Sequence, residues 1–62
     1  MSWIEYRHRS RLMKAMTLLE SRNQLVSEVA VMVGFESVSA FSKAFSAFAG
    51  ESPRSYRQRV AR

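Results

Sequence analysis

The sequence predicts an all-α domain of four helices, and three observations carry that prediction. Apolar residues recur at i, i+3, i+4 and i+7 along the chain, the first third contains neither Gly nor Pro, and the later breaks fall at Gly34, Gly50 and the Ser52-Pro53 pair. Each break coincides with a residue type that ends or begins a helix for a known reason.

The first helix is expected over residues 2–20, with Ser2 as its N-cap and Ile4, Leu12, Ala15, Met16 and Leu19 at helical spacing. At 1.5 Å per residue it would be ~27 Å long. Its last two turns, holding Leu12, Met13, Ala15, Met16, Leu18 and Leu19, carry most of its apolar surface. The first turns are arginine and aromatic, so this end is expected either to project from the core or to pack against something outside this chain, with Trp3 and Tyr6 covering the helix or packing on a neighbour. Ser21-Arg22-Asn23-Gln24 is a polar connector, and Asn23 or Gln24 stands where the next helix should open. Val26, Val29, Ala30 and Val33 then build an apolar face on a short second helix. Gly34 ends it as the residue best suited to a left-handed C′ position.

Phe35 and Glu36 continue the turn, and Ser37 caps a third helix running from Val38 to about Ala49. Phe41, Phe45 and Phe48 form its core side, whereas Ser39, Ser42, Lys43 and Ser46 repeat on a slim, polar side expected to face solvent. Gly50 stops this helix. Ser52 then caps a fourth, residues 53–60, with Pro53 at the first position, where its missing N–H costs nothing.

Composition narrows the function. Sixty-two residues make one domain whose core supplies ~3–5 kcal/mol without a staple. There is no cysteine for a disulfide or thiolate site, and His8, the sole histidine, cannot build a metal site alone. With 47% apolar residues the chain is expected to fold rather than stay disordered. No apolar run approaches the roughly 18 residues of a membrane span, and the N-terminus lacks a secretory signal pattern. A cytoplasmic protein is therefore expected. The five acidic residues, Glu5, Glu20, Glu28, Glu36 and Glu51, are scattered, Asp is absent, and there is no glycine-rich phosphate loop, so neither an enzyme nor a cofactor protein is expected.

Ten Lys and Arg against five acidic residues give a net charge of +5 and a pI near 10.8, which favours polyanionic partners. The charge is uneven. Arg7, His8, Arg9, Arg11 and Lys14 crowd the first segment and Arg54, Arg57, Arg59 and Arg62 the last, while only Arg22 and Lys43 lie between.

Two short helices joined by a glycine corner, with Ala30 four residues before Gly34, match a helix-turn-helix: the small alanine lets the helices cross closely and the glycine makes the sharp turn. A helix entering the DNA major groove needs slim side chains with donors and acceptors, and serine and Lys43 supply them. An ordinary solvated face would favour Glu, Lys, Gln and Arg for their helix propensity. Ser52-Pro53-Arg54 adds a helix N-terminus beside Arg54 and Arg57, which suits a phosphate.

The string VSEVAVMVGFESVSAFSKAFSAFAGESPRSYR, residues 26–57, resembles the second helix-turn-helix and closing helix of the AraC/XylS transcriptional regulators. The match runs through Val29-Ala30, Gly34-Phe35, Ser37, Ser39, Phe41, Phe45, Gly50, Ser52-Pro53 and Tyr56-Arg57. YRHRSRLMKAMTLL is similar to that family's linker helix, with Tyr6, Arg11, Leu12, Ala15 and Leu19 at matching places. The resemblance implies a homeodomain-like helix-turn-helix subdomain with a long N-terminal linker helix. It covers about half of the family's DNA-binding domain, so a first helix-turn-helix and a sensor domain would lie elsewhere in a parent protein. It further implies that Val38, Ser39, Ala40, Ser42 and Lys43 face bases of double-stranded DNA, and that Ser37, Arg54 and Arg57 hold phosphates. Arg7 stands where the family commonly has an apolar residue. Two other readings of the charge and the exposed first helix are an interaction module, including self-association into a homo-oligomer, and a basic amphipathic domain on anionic membranes.

Overall fold

Seventeen consecutive residues without Gly or Pro form α1 (Trp3–Leu19). Three shorter helices follow, α2 (Val26–Met32), α3 (Val38–Ala49) and α4 (Pro53–Val60). This computed structural model describes residues 3–21 and 23–61, with the side chains of 3–6 excepted. The expectations for Ser2, Arg22 and Arg62, and for the side chains of Trp3, Ile4 and Tyr6, lie outside the described residues.

The helix ends follow from local chemistry. At the end of α2, Gly34 takes φ +94°. Its N–H donates to the Val31 carbonyl and that of Phe35 to the Ala30 carbonyl, both at 3.0 Å. This crossed pair is a Schellman motif, which satisfies terminal carbonyls and needs a residue tolerant of positive φ. Ser37 Oγ accepts from the Ala40 N–H at 3.1 Å to cap α3, and Ser52 Oγ accepts from the Ser55 N–H at 3.1 Å to cap α4. Gly50, at φ +81°, closes α3.

The start of α2 differs from expectation. Neither Asn23 nor Gln24 caps it; the N-cap is Leu25, in extended conformation. Leucine has no acceptor, so the helix start is served from the other direction, by the Glu28 carboxylate accepting from the Leu25 N–H at 2.7 Å. The Asn23 N–H is instead taken up by Ser21 Oγ at 3.1 Å, which holds Asn23 in the connector.

All four helices among the described residues contribute to one core. It consists of Leu12, Ala15 and Leu19 from α1, Val29 and Ala30 from α2 with Val33 at its C-cap, Phe41 and Phe45 from α3, and Tyr56 from α4. Full burial of a side chain such as Leu, Val or Phe stabilises the fold by about 1.5–3 kcal/mol. The two alanines are essentially inaccessible, and their lack of bulk lets the helices approach closely. A run of ring contacts threads the core: Phe35–Phe41 at 5.5 Å, Phe41–Phe45 at 5.7 Å and Phe45–Tyr56 at 5.5 Å between centroids. Such tilted and edge-on pairs suit the ring quadrupoles.

Two further expectations are corrected. Phe48 is not core: it is 40% exposed, against 0% for Phe41 and Phe45. It lies in the last turn of α3 beside Ala44 and Ala47, facing Arg9, His8 and Leu12 of α1. His8 and Arg9 are themselves exposed. Nor does the arginine-rich half of α1 simply project. His8 lies 5.6 Å from the Phe35 ring, so this half is braced against the turn between α2 and α3.

Candidate nucleic-acid interface

The geometry of the turn dictates what α3 presents. With Phe41 and Phe45 turned fully inward, Val38, Ser39, Ala40 and Lys43 fall on the outer side and are exposed. Val38, at 42% exposure, presents a bare isopropyl group at the leading end of the helix. The exposed strip is therefore small and mixed: two hydrocarbon positions, one hydroxyl and one flexible ammonium. Such a strip can approach base edges closely, where a hydroxyl donates or accepts and an aliphatic group meets a thymine methyl.

Ser42 does not share that open position. It is half-buried and lines a groove with Leu25, Val26 and Ser27 at the start of α2, and with the cap Ser52 and Pro53, Arg54, Arg57 and Gln58 of α4. Ser46, expected to face solvent, is also half-buried. The correction has a simple cause: the polar side of α3 spans a wide arc, and one flank of it turns toward the start of α4.

This groove collects most of the positions expected to meet phosphate. Arg54 is exposed at the first turn of α4, where free N–H groups and the positive dipole end favour anions. Arg57 is only half-buried, but its Nε donates to the Leu19 carbonyl at 3.3 Å. It thereby brings a cation to the C-terminus of α1, a helix with no basic residue in its own last turn. Its Nη2 is buried with no hydrogen-bond partner among the described residues. Ser37 Oγ accepts from the Ala40 N–H, which leaves its hydroxyl proton available to an acceptor. The structure thus brings Ser42, Arg54 and Arg57 together, while Ser37, Val38, Ser39, Ala40 and Lys43 occupy the adjoining outer face.

Sequence reasoning missed the opening residues of α2, Leu25 to Ser27, as a wall of this groove. No local signal marks them, because the groove exists only where α2 and α4 meet α3.

On the far flank of α4 the charges are committed elsewhere. The Glu51 carboxylate accepts from Arg59 Nε at 3.0 Å and Nη2 at 2.6 Å, and from Ser55 Oγ at 3.0 Å. Hydrogen bonding by Arg59, then by Ser55, holds the Glu51 carboxyl below the usual range, and Glu51 in turn raises the Arg59 pKa. Arg59 also stands 5.4 Å over the Tyr56 ring. Arg59 is thus held within the domain.

Among the described residues there is no group of three or more His, Cys, Asp or Glu placed to hold a metal ion. No helix among them is long and apolar enough to cross a membrane.

Comparison with known proteins agrees with this geometry. The profile of a helix-turn-helix domain family matches residues 1–59. The HTH-type transcriptional activator RhaR of Yersinia pseudotuberculosis serotype O:1b is 40% identical over 62 residues, which is 100% of this chain and 21% of that protein. The protein of the same name from Pectobacterium atrosepticum is 44% identical over 59 residues, 95% of this chain and 21% of the relative. The chain therefore spans about a fifth of the length of the curated relatives it matches. No solved structure shows a significant match.

Proposed function

The chain belongs to the AraC-type helix-turn-helix family, and from that premise we propose that it is a sequence-specific DNA-binding unit of a bacterial transcription regulator. In this reading α3 lies in the major groove. Val38, Ser39, Ala40 and Lys43 meet base edges from the exposed strip and Ser42 meets them from its half-buried place at the groove, while Ser37, Arg54 and Arg57 hold phosphates. One observation carries it: the slim exposed strip of α3 runs beside a groove lined by the starts of α2 and α4 and by two arginines. Arg54 is the stronger phosphate position, since Arg57 already serves the Leu19 carbonyl. The short side chains of the strip imply that phosphate contacts contribute much of the affinity and base contacts rather little.

The likeness to RhaR, whose name describes a transcriptional activator, supports a role in gene activation for the parent protein. We place that protein in the cytoplasm, with a first helix-turn-helix and a sensor domain completing it. Pairing of two copies through the exposed side of α1 belongs to the same proposal, and sedimentation at several concentrations tests it.

Titration with duplex DNA at several salt concentrations tests the DNA reading. Each phosphate contact removed should lower the slope of log K against log salt by about 0.9. Arg54→Ala is expected to show that loss. Lys43→Ala should weaken binding to a preferred duplex more than to a scrambled one. Unchanged binding in both variants would dispose of the assignment.

A further inference from the structure

Arg11 extends from α1 to the corner of the helix-turn-helix. A Cβ built on Gly34 would lie 3.4 Å from Arg11 Nε, 3.5 Å from Cζ and 3.7 Å from Nη2. Three successive guanidinium atoms therefore stand in van der Waals reach of the space that a side chain at the corner would occupy. Arg11 is half-buried and shares its cleft with His8, Phe35, Glu36, Ala40 and Ala44. One side chain thus stands at the meeting point of α1, the turn and the recognition helix.

The chemistry explains why arginine suits this place. α2 has no basic residue in its last turn, and a cation near the C-terminal end of a helix is favourable. A planar guanidinium can lie against the backbone of a glycine, whereas a lysine ammonium is a compact, strongly hydrated charge that cannot reproduce that contact. The pair is reciprocal: Gly34 leaves the corner bare, and Arg11 fills it from outside.

On the DNA-binding reading above, we propose that Arg11 is a positioning residue for base discrimination. Its guanidinium, laid from α1 against Gly34, sets the angle between α2 and α3 and hence which side chains of α3 reach the base edges. Arg11 acts through α3 and touches no base itself.

The test uses the 62-residue chain with Arg11→Lys and Arg11→Ala. Residual dipolar couplings report the angle between α2 and α3 without DNA. Selectivity is the ratio of affinities for a duplex enriched from a randomised pool by the unaltered chain and for a scrambled duplex. Arg11→Lys, which keeps the charge and the aliphatic stem, is expected to retain four helices and to shift the couplings of α3 relative to α2. It should lose about tenfold in selectivity, the scale of one lost base contact, with the salt slope unchanged.

Three results would overturn the role of Arg11. One is unaltered couplings and selectivity in Arg11→Lys. Another is a slope that falls by about 0.9 in Arg11→Ala and recovers in Arg11→Lys, which would make Arg11 a phosphate contact. The third is unfolding of both variants, which would assign it to stability alone. Absence of any duplex binding by the unaltered chain would remove the DNA reading and this role together, whereas the other results leave that reading standing.

Discussion

Phe45 and Phe48 stand three residues apart on one helix, yet the first is 0% and the second 40% exposed. Truncation should separate them clearly. Phe45→Ala removes a ring packed between Phe41 and Tyr56, and the loss of about 3–5 kcal/mol typical of buried Phe equals the whole stability expected of so small a core. The variant is expected to be largely unfolded by circular dichroism at 25 °C. Phe48→Ala should retain a cooperative thermal transition. Glu51 is a second residue with a measurable signature. Its carboxyl is held below the usual range by Arg59 and Ser55, so its stabilising contribution is present above the ordinary carboxylate pKa of about 4.3. It is lost as pH falls through the lowered folded value. Glu51→Gln is expected to flatten that part of the acid limb when the thermal midpoint is followed from neutral to acid pH.

At the scale of elements, the caps and the corner hold α3 in its frame. Ser37→Ala leaves the Ala40 N–H without its acceptor and should cost about 1 kcal/mol in urea denaturation. Gly34→Ala should cost more for its size than any exposed alanine substitution. A left-handed conformation costs an L-residue roughly 1–2 kcal/mol, and the new methyl would also come into contact with the Arg11 guanidinium at 3.4 Å. The Gly34 variant should therefore lower both the thermal midpoint and the DNA selectivity, while Ser37→Ala lowers chiefly the former. Both caps of the α3–α4 unit and the glycine corner are legible in the sequence because each is satisfied within three to five residues. The α2 start was misread for the same reason in reverse: Asn23 is a good cap type, but the reaching Glu28 side chain serves the Leu25 N–H instead.

At the scale of the whole molecule, the domain spans 34 × 20 × 17 Å, and α1 touches each of the other three helices. It is the spine rather than a tether. Because the net charge is +5, affinity for any duplex should fall as salt rises, and the steepness counts the phosphates engaged. Raising salt should reduce the affinity for scrambled DNA before it alters selectivity, since base contacts release few counterions. A calorimetric or fluorescence titration across several salt concentrations checks this.

The sequence by itself determined the four helices, the glycine corner, the caps of α3 and α4, and the inward side led by Phe41 and Phe45. These depend on helical period and on bonds between near neighbours. Only the tertiary structure decided what stands opposite each side. It left Phe48 partly exposed, turned Ser42 into a groove made with α2 and α4, and laid Arg11 against Gly34. It also tied Arg57 to the Leu19 carbonyl, 38 residues away in sequence. Periodicity fixes the angle of a side chain around its own helix; the reach and bulk of the neighbouring helices fix whether that angle ends in core, groove or solvent.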